Sequence, residues 1–235
     1  MNAGEKSVSI IIASLNEESN VGHAVEAVRM ILESHQIDYE ILAFNDGSTD
    51  KTGEILDELS LKNPRIRVVH HSTNQGLGVI SREAFKMANK KYITWFPGDN
   101  AVIPDFFQDV MGSLGQVDIV VAYIPNSRER SLFRHVLSQT YTFILNTIFG
   151  LHVKYFNGPS IYPTVLAKSV DFTSNRFGFF AELLIRCLKK GATYTHVPFS
   201  HKARSDRSSK SISWKGVKDI FQTTCVLVKE VYFRK

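Results

Sequence analysis

Blocks of apolar residues in the first half of the chain alternate between a length that suits strands and a length that suits helices. Residues 8–13 form a nearly unbroken apolar run, which is typical of a parallel strand buried on both faces. Apolar residues in the stretch 21–32 then recur at helical spacing. This alternation continues as far as residue 123 and predicts an α/β fold with a doubly wound, mostly parallel sheet flanked by helices.

The further elements of this half follow the same spacing. Strands are predicted over residues 39–44, 66–69, 91–96 and 118–123, and helices over residues 52–61, after the turn at 74–78 as far as 88, and from Pro104 onward.

The second half of the chain has a different character. It contains an apolar, aromatic helix over residues 132–149, an amphipathic helix after residues 177–182 and a strand over residues 192–199. The chain ends in a helical stripe of apolar residues flanked by lysines, and no repeat or linker interrupts it. We therefore predict a single domain over residues 1–211 and a C-terminal amphipathic helix over residues 212–235, which packs on the domain, on a membrane or on a partner.

Charge narrows the class of partner. The chain has 235 residues, a net charge of +5 and a pI near 9.1, which favours an anionic partner such as a nucleotide or phospholipid. Its basic residues cluster in two loops without interleaved aromatic residues, which disfavours nucleic acid. The two cysteines lack metal-site spacing, and neither a signal core nor a spanning apolar run is present. We therefore expect a cytoplasmic protein.

Two predicted strands end in an aspartate beside a glycine. Asp46 precedes Gly47 after the second strand, and Asp99 follows Gly98 after the fourth. Since parallel strands end at the same edge of a sheet, where open α/β sheets bind ligands, both carboxylates are expected in one site. An ordinary turn that caps the following helix is the alternative for Asp46.

The chain also carries a series of motifs in a defined order. They are Ile12-Ala13-Ser14-Leu15-Asn16-Glu17, Asn45-Asp46-Gly47-Ser48-Thr49-Asp50, Gln75-Gly76-Leu77-Gly78, Glu182, and Arg204 with Ser209 and Lys210. Together they resemble family 2 glycosyltransferases of the GT-A fold, and most closely the dolichyl- or polyprenyl-phosphate sugar synthase branch. The last motif departs from the family's Arg-x-x-Gly-x-Ser-Lys pattern, since Arg207 replaces the glycine. The resemblance implies a Rossmann-like GT-A domain that transfers a hexose from a nucleotide-sugar donor.

The resemblance further implies a nucleotide site at the strand ends. Its residues are Ala13, Ser14, Asn16, Glu17, Asp46, Gln75, Gly98, Arg204 and Lys210. Carboxylate and amide oxygens can accept base N–H and ribose hydroxyl protons, whereas Arg204 and Lys210 suit the diphosphate. Helix capping is an equal alternative for Asn16, and a solvated basic surface is the alternative for Arg204 and Lys210.

The predicted metal site contains only one carboxylate. The family's Asp-x-Asp motif aligns with Pro97-Gly98-Asp99, so its first aspartate is a proline. One carboxylate can still hold Mg²⁺ or Mn²⁺ when waters and substrate phosphates complete the octahedron. We predict Asp99 and Asn100 as ligands, with Asp99 also catalytic. The histidines, including His70 and His71, lack metal-ligand spacing and are expected at the surface or in the core.

The acceptor is predicted from a basic segment ahead of the apolar helix. Arg128, Arg130 and Arg134 would grip a phosphate beside a lipid-facing surface. A phosphate monoester, with a second pKa of about 6, is mostly ionised at neutral pH and needs little help from a base. A sugar hydroxyl would need one, for which Glu182 is the catalytic candidate. The alternative for Glu182 is a residue that only orders the site.

We therefore predict an inverting transferase that moves a sugar from a nucleotide-sugar to a polyprenyl phosphate, peripheral at the cytosolic face of an anionic membrane. Two alternatives stay open: transfer to the saccharide hydroxyl of a cell-surface glycan, and a catalytically weak nucleotide-binding or scaffold protein. A membrane protein or a second copy of the chain is a further expected partner.

Overall fold

The computed structural model describes residues 6–101, 106–125, 132–199 and 214–233. Its strands are β1 (Ser7–Ser14), β2 (Asp38–Asp46), β3 (Ile66–His71), β4 (Tyr92–Pro97), β5 (Ile119–Tyr123), β6 (Tyr162–Pro163) and β7 (Tyr194–Pro198). Its helices are α1 (Val21–Ser34), α2 (Thr52–Lys62), α3 (Leu77–Met87), α4 (Phe106–Ser113), α5 (Leu132–Phe149), α6 (Thr164–Lys168), α7 (Gly178–Lys189) and α8 (Trp214–Phe233).

The strands form a largely parallel sheet in two connected parts. In the first part the order is β3-β2-β1-β4-β6, in which only the short β6 runs antiparallel to its neighbour. In the second part β5 and β7 pair in parallel. A bridge between Val120 and Ile161, with backbone hydrogen bonds of 3.1 and 2.9 Å, joins the two parts. The predicted mostly parallel α/β sheet is confirmed.

Helices cover both faces of the sheet because successive β1 side chains point to opposite sides. Ile10 and Ile12 pack with buried residues of α1, α2 and α4, whereas Ile11 packs with those of α3, α5 and α7. All three isoleucines are fully buried. Burial on both faces explains why the sequence of β1 is continuously apolar rather than alternating.

Differences from the predicted elements lie mainly at the ends. The helix expected from Pro104 is described from Phe106, and residues 102–105 lie outside the described part. The late strand covers Tyr194–Pro198, a shorter span than the predicted residues 192–199. The short β6 and α6 were not predicted. Among the described helices, none is long and apolar enough to cross a membrane.

The central position of β1 can be tested by cavity formation. Ile11→Ala should lower the free energy of unfolding by about 2–5 kcal/mol, since it leaves a cavity in the packed layer. Leu61→Ala, at a side chain that is 87% exposed on α2, is the control and should change stability by no more than about 0.5 kcal/mol. Urea unfolding measures both values, and equal effects would contradict the central position of β1.

Candidate functional site

Three strands end together at one edge of the sheet. The register pairs Ala13 of β1 with Phe44 of β2 and with Pro97 of β4, so the residues that follow each strand are neighbours. Ligands bind at this edge in open α/β sheets. The structure therefore brings the turns that contain Asp46 and Asp99 to the two sides of the end of β1.

Gly98 allows the close approach of the β4 and β1 ends. A Cβ atom at this position would lie 2.9 Å from the carbonyl oxygen of Ala13 and would overlap the hydroxyl of Ser14. The Ser14 Oγ is buried and has no hydrogen-bond partner among the described residues. Since a buried polar atom without a partner is costly, this hydroxyl is a candidate for a ligand contact.

The loops after β1 and β2 are tied together by hydrogen bonds. The Asn16 backbone N–H donates to Ser48 Oγ over 3.0 Å, and the Asn16 side-chain oxygen accepts from the Thr49 N–H over 2.8 Å. The Glu17 N–H donates to Thr52 Oγ1 over 2.8 Å. Asn16 adopts a φ of 54°, a conformation in which asparagine is enriched. Asn16 thus joins two loops rather than capping the helix that follows it.

Asp46 anchors the turn that precedes α3. Its Oδ1 accepts from the Gln75 backbone N–H over 2.9 Å, and its Oδ2 accepts from the Gly76 N–H over 3.0 Å. The carboxylate is 4% exposed and also contacts His71 Nδ1 over 2.8 Å. An ionised carboxylate has about four acceptor positions, so these three donors leave about one for a ligand. We call residues 75–78 the glycine turn.

His71 is a site residue that the sequence did not single out. Its Nδ1 contacts Asp46, and its Nε2 contacts Glu83 of α3 over 3.0 Å. Burial of the ring opposes protonation, but the hydrogen bonds and charges of the two carboxylates outweigh it and raise the pKa of His71. The pairing of Asp46 with His71 in the β2–β3 register could have indicated this contact.

The loop after β4 presents two oxygen ligands of the kind that magnesium prefers. Asp99 Oδ1 accepts from the Ala101 N–H over 3.0 Å. The Asn100 Oδ1 is buried without a hydrogen-bond partner among the described residues, and Asn100 has a φ of 53°. A carboxylate and an orphaned amide oxygen fit a Mg²⁺ or Mn²⁺ ion that keeps waters and phosphates. Within the described ranges, no three His, Cys, Asp or Glu residues are grouped for a metal.

Glu182 has a different environment from the one a general base requires. Its carboxylate is fully buried and accepts from the backbone N–H groups of Thr173 and Ser174 over 3.0 and 2.9 Å. Arg186 Nη2 lies 2.8 Å from Oε1. A general base needs access to the proton that it removes, whereas this carboxylate is enclosed by its donors, and its catalytic role stays a prediction. Of the two roles that the sequence left open, the ordering role fits this environment.

The segment of residues 173–176 that Glu182 orders packs directly on the glycine turn. The Gly78 N–H donates to the Asn175 carbonyl oxygen over 3.0 Å, and a Cβ on Gly78 would lie 2.8 Å from Asn175 Cα. From the other side, Asp219 of α8 accepts from Ser174 Oγ and from the Gly178 N–H, each over 3.0 Å. Helix α8 therefore packs on the domain and contributes to this wall of the site.

A cleft of about 460 Å³ lies between the 173–176 segment and α8. Arg176 and Lys218 line it together with the polar side chains of Gln222 and Thr223. The carboxylate of Asp219 also lines the cleft, so its charged lining is mixed and suits a polar ligand. Because the opposite side of the segment contacts the glycine turn, the cleft is adjacent to the candidate site.

Several predicted residues cannot be compared with the structure. Arg128, Arg130, Arg204 and Lys210 lie outside the described residues, and Arg134 belongs to α5 but its side chain is not described. Gln75 contributes its backbone to the Asp46 contact, while its side chain is exposed and donates to Thr73. The Glu17 carboxylate accepts from the Asn20 side chain over 2.9 Å.

The sequence places this site within a known class of proteins. The model of glycosyl transferase family 2 matches residues 9–181, and the chain belongs to this family. It is 33% identical over 115 residues to EpsJ, an uncharacterized glycosyltransferase of Bacillus subtilis (strain 168). That match covers 48% of this chain and only 32% of EpsJ, so the chain spans about a third of that relative.

Solved structures of similar fold confirm the predicted GT-A fold. Glucosyl-3-phosphoglycerate synthase from Mycobacterium tuberculosis, in complex with Mn²⁺, UDP and phosphoglyceric acid, gives a TM-score of 0.68 at 18% identity over 95% of this chain and 78% of that chain. Mannosyl-3-phosphoglycerate synthase from Rubrobacter xylanophilus gives 0.75 at 15% identity over 98% and 76% of the two chains. At these identities the likeness concerns the fold.

Substitution of Glu182 separates the ordering role from catalysis. Glu182→Gln should lower the free energy of unfolding by about 3 kcal/mol, the low end for breaking a buried ion pair, because Arg186 keeps its contact with Glu230. A general base would instead be revealed by a loss of about 100- to 10,000-fold in kcat at unchanged stability. Glu26→Gln, in a partly exposed surface pair with Arg29, is the control and should change stability by less than about 1 kcal/mol.

Proposed function

We propose that this protein transfers a sugar from a nucleotide-diphosphate sugar to a polyprenyl phosphate, with inversion, as a peripheral protein at the cytosolic face of an anionic membrane. Its membership of glycosyl transferase family 2 supports the transfer chemistry. The observation that carries the choice of acceptor is the exposed face of α5, which has no charged residue from 136 to 149. Its exposed apolar side chains lie among the uncharged polar side chains of Gln139, Thr140 and Thr147.

The donor nucleoside is assigned to the edge where β1 and β2 end. Asp46, Asn16 and Glu17 present carboxylate and amide oxygens there, held in place by the loop hydrogen bonds described above. The buried Ser14 hydroxyl, the backbone of Ala13 and the close approach at Gly98 supply the adjoining surface. Such preorganisation lowers the ordering cost of binding. Gln75, Arg204 and Lys210 remain predicted contacts.

The metal is assigned to the loop after β4. Asp99 and Asn100 would hold Mg²⁺ or Mn²⁺ through oxygen atoms. The structures of glucosyl-3-phosphoglycerate synthase from Mycobacterium tuberculosis with Mn²⁺ or with Mg²⁺ support this use. When bound, the ion would neutralise charge on the leaving diphosphate. Arg204 and Lys210 would share that neutralisation as cationic groups.

The acceptor is assigned to the side of α5. Its exposed side chains include Phe143 at 70% and Val136 at 55%, one helical heptad apart, with Leu137 and Ile144 beside them. The sequence has no charged residue from 136 to 149, and the predicted phosphate-binding arginines 128, 130 and 134 precede this face. Apolar and aromatic side chains next to basic groups suit the interface of an anionic membrane.

The environment of Glu182 favours a phosphate acceptor over a saccharide hydroxyl. A hydroxyl acceptor needs a general base, and the predicted one is buried in a network with Arg186. An ionised phosphate oxygen is already a nucleophile at neutral pH. The scaffold alternative, motivated by Pro97 in the metal motif, predicts nucleotide binding without transfer.

The metal assignment predicts the effect of removing one carboxylate. Asp99→Asn should abolish metal-dependent turnover without a loss of stability, because the residue serves the site rather than the core. Asp171→Asn, at an exposed residue in the loop before α7, is the control and should keep full activity. Turnover is followed by donor hydrolysis and product formation with Mg²⁺, Mn²⁺ or chelator. Full activity of the native protein in excess chelator would refute the metal role.

The acceptor assignment is tested by product analysis. UDP-, GDP- and dTDP-sugars are offered with polyprenyl phosphate in anionic vesicles, with an oligosaccharide, or with phosphoglyceric acid. We expect a lipid-linked product, and vesicle binding that falls as salt screens charges beyond about 8 Å. Phe143→Ser should weaken vesicle binding by about tenfold or more, which is the effect expected when a phenylalanine side chain is no longer buried in the membrane interface. Leu61→Ser on α2 is the exposed control.

Transfer of the sugar to the oligosaccharide, instead of to polyprenyl phosphate, would show that the acceptor is a glycan hydroxyl. Nucleotide binding without any product would support the scaffold alternative. Equal binding of the native protein to neutral and anionic vesicles at every salt concentration would contradict the membrane surface.

A further inference from the structure

The two ring nitrogens of His71 each face a carboxylate. Nδ1 lies 2.8 Å from Asp46 Oδ1, and Nε2 lies 3.0 Å from Glu83 Oε2. An ionised carboxylate can only accept hydrogen bonds, whereas a neutral imidazole donates from one nitrogen only. Both contacts are therefore hydrogen bonds only when His71 is the imidazolium.

The surroundings of the His71 ring disfavour its neutral state. The His71 side chain is 10% exposed, and its ring lies 5.9 Å from the ring of Phe44. Among the described residues, the charged groups that face it are Asp46 from β2 and Glu83 from α3. With little water available, a deprotonated ring nitrogen would face a carboxylate oxygen without a proton between them.

His71 also shares its acceptor with the glycine turn. Asp46 Oδ1 receives both His71 Nδ1 and the Gln75 N–H, while Oδ2 receives the Gly76 N–H. The orientation of this carboxylate therefore depends on the imidazole as well as on the turn. Glu83 attaches the other nitrogen to α3, the helix that the turn begins.

We propose that His71 is a positioning residue for the donor, whose imidazolium holds the Asp46 carboxylate and through it the glycine turn, so that donor affinity falls as the imidazolium loses its proton. This inference rests on the proposed function only in assigning the donor to Asp46. Transfer at saturating donor keeps its rate, because His71 touches no reacting atom. The effect belongs to the donor KM.

The direction of the pH dependence follows from the environment. The two carboxylates raise the pKa of His71 against the opposing effect of burial. The stabilisation of the Asp46 carboxylate by the His71 imidazolium is then complete below the ordinary histidine pKa of about 6.5. It is lost as the pH rises through the higher pKa of His71 in the folded protein. Donor affinity should therefore be highest in weakly acidic solution.

The test measures UDP, GDP and dTDP affinity by calorimetry from about pH 6 to about pH 9, across the range in which a perturbed histidine titrates. In the native protein, the affinity for the nucleotide that binds should fall by about tenfold across this range, the scale of one charge-assisted hydrogen bond. His71→Gln should bind at about the weaker level throughout, because glutamine does not titrate. His23→Gln, at an exposed residue of α1, should keep the native profile.

Glu83→Gln provides a variant at the periphery of the network, since the Glu83 side chain is 41% exposed. Removal of its charge should move the midpoint of the affinity profile to lower pH, and a role in packing alone would not produce this shift. The His71 imidazole proton resonance, titrated without nucleotide, should shift its midpoint in the same direction.

The outcomes separate this inference from the proposed function. If none of the nucleotides binds at any pH, the proposed function fails, and the imidazole titration still tests the charged bridge. If a nucleotide binds with the same pH profile in the native protein and in His71→Gln, the positioning role is wrong. An imidazole midpoint that Glu83→Gln leaves unchanged would likewise overturn it.

Discussion

A charge buried without partners would destabilise the fold, so the buried Glu182 must be paired. Its backbone partners belong to the segment that forms one wall of the candidate site. Its carboxylate is fully buried and is balanced by Arg186 and by the backbone N–H groups of Thr173 and Ser174. The segment that these donors belong to then contacts the glycine turn through Asn175. The partners that a buried carboxylate needs therefore also fix the position of the 173–176 segment, and this segment packs on the glycine turn beside the end of β2.

The glycine turn, on which this segment packs, depends on the same principle at a less buried carboxylate. Asp46 orients the glycine turn through two backbone N–H groups, and Asn16 joins the loops after β1 and β2. All of these contacts are made between groups of the protein itself, and they would hold the proposed donor site in place. Binding would then cost little backbone ordering, and an error in one contact would affect the geometry of the whole edge.

The sequence predicts the layered fold well, because residues 8–13 are continuously apolar and the apolar residues of the helices recur at helical spacing. It does not predict β6, since two residues are too short to show any period. The resemblance selected Glu182, but its environment depends on Arg186 and on packing that no local pattern records. No local pattern predicts the two contacts of His71, because they arise from the β2–β3 register and from the position of Glu83.

The contacts of α8 also bear on the order in which the protein acquires structure during synthesis. Asp219 and Glu230 belong to the last described helix, yet the residues they hold, Ser174, Gly178 and Arg186, lie about 40 residues earlier in the chain. Ribosomes deliver the N-terminal part of a chain first. The 173–176 segment therefore leaves the ribosome before the α8 side chains that hold it. The wall of the candidate site that this segment forms gains its full set of contacts only when α8 has emerged and docked.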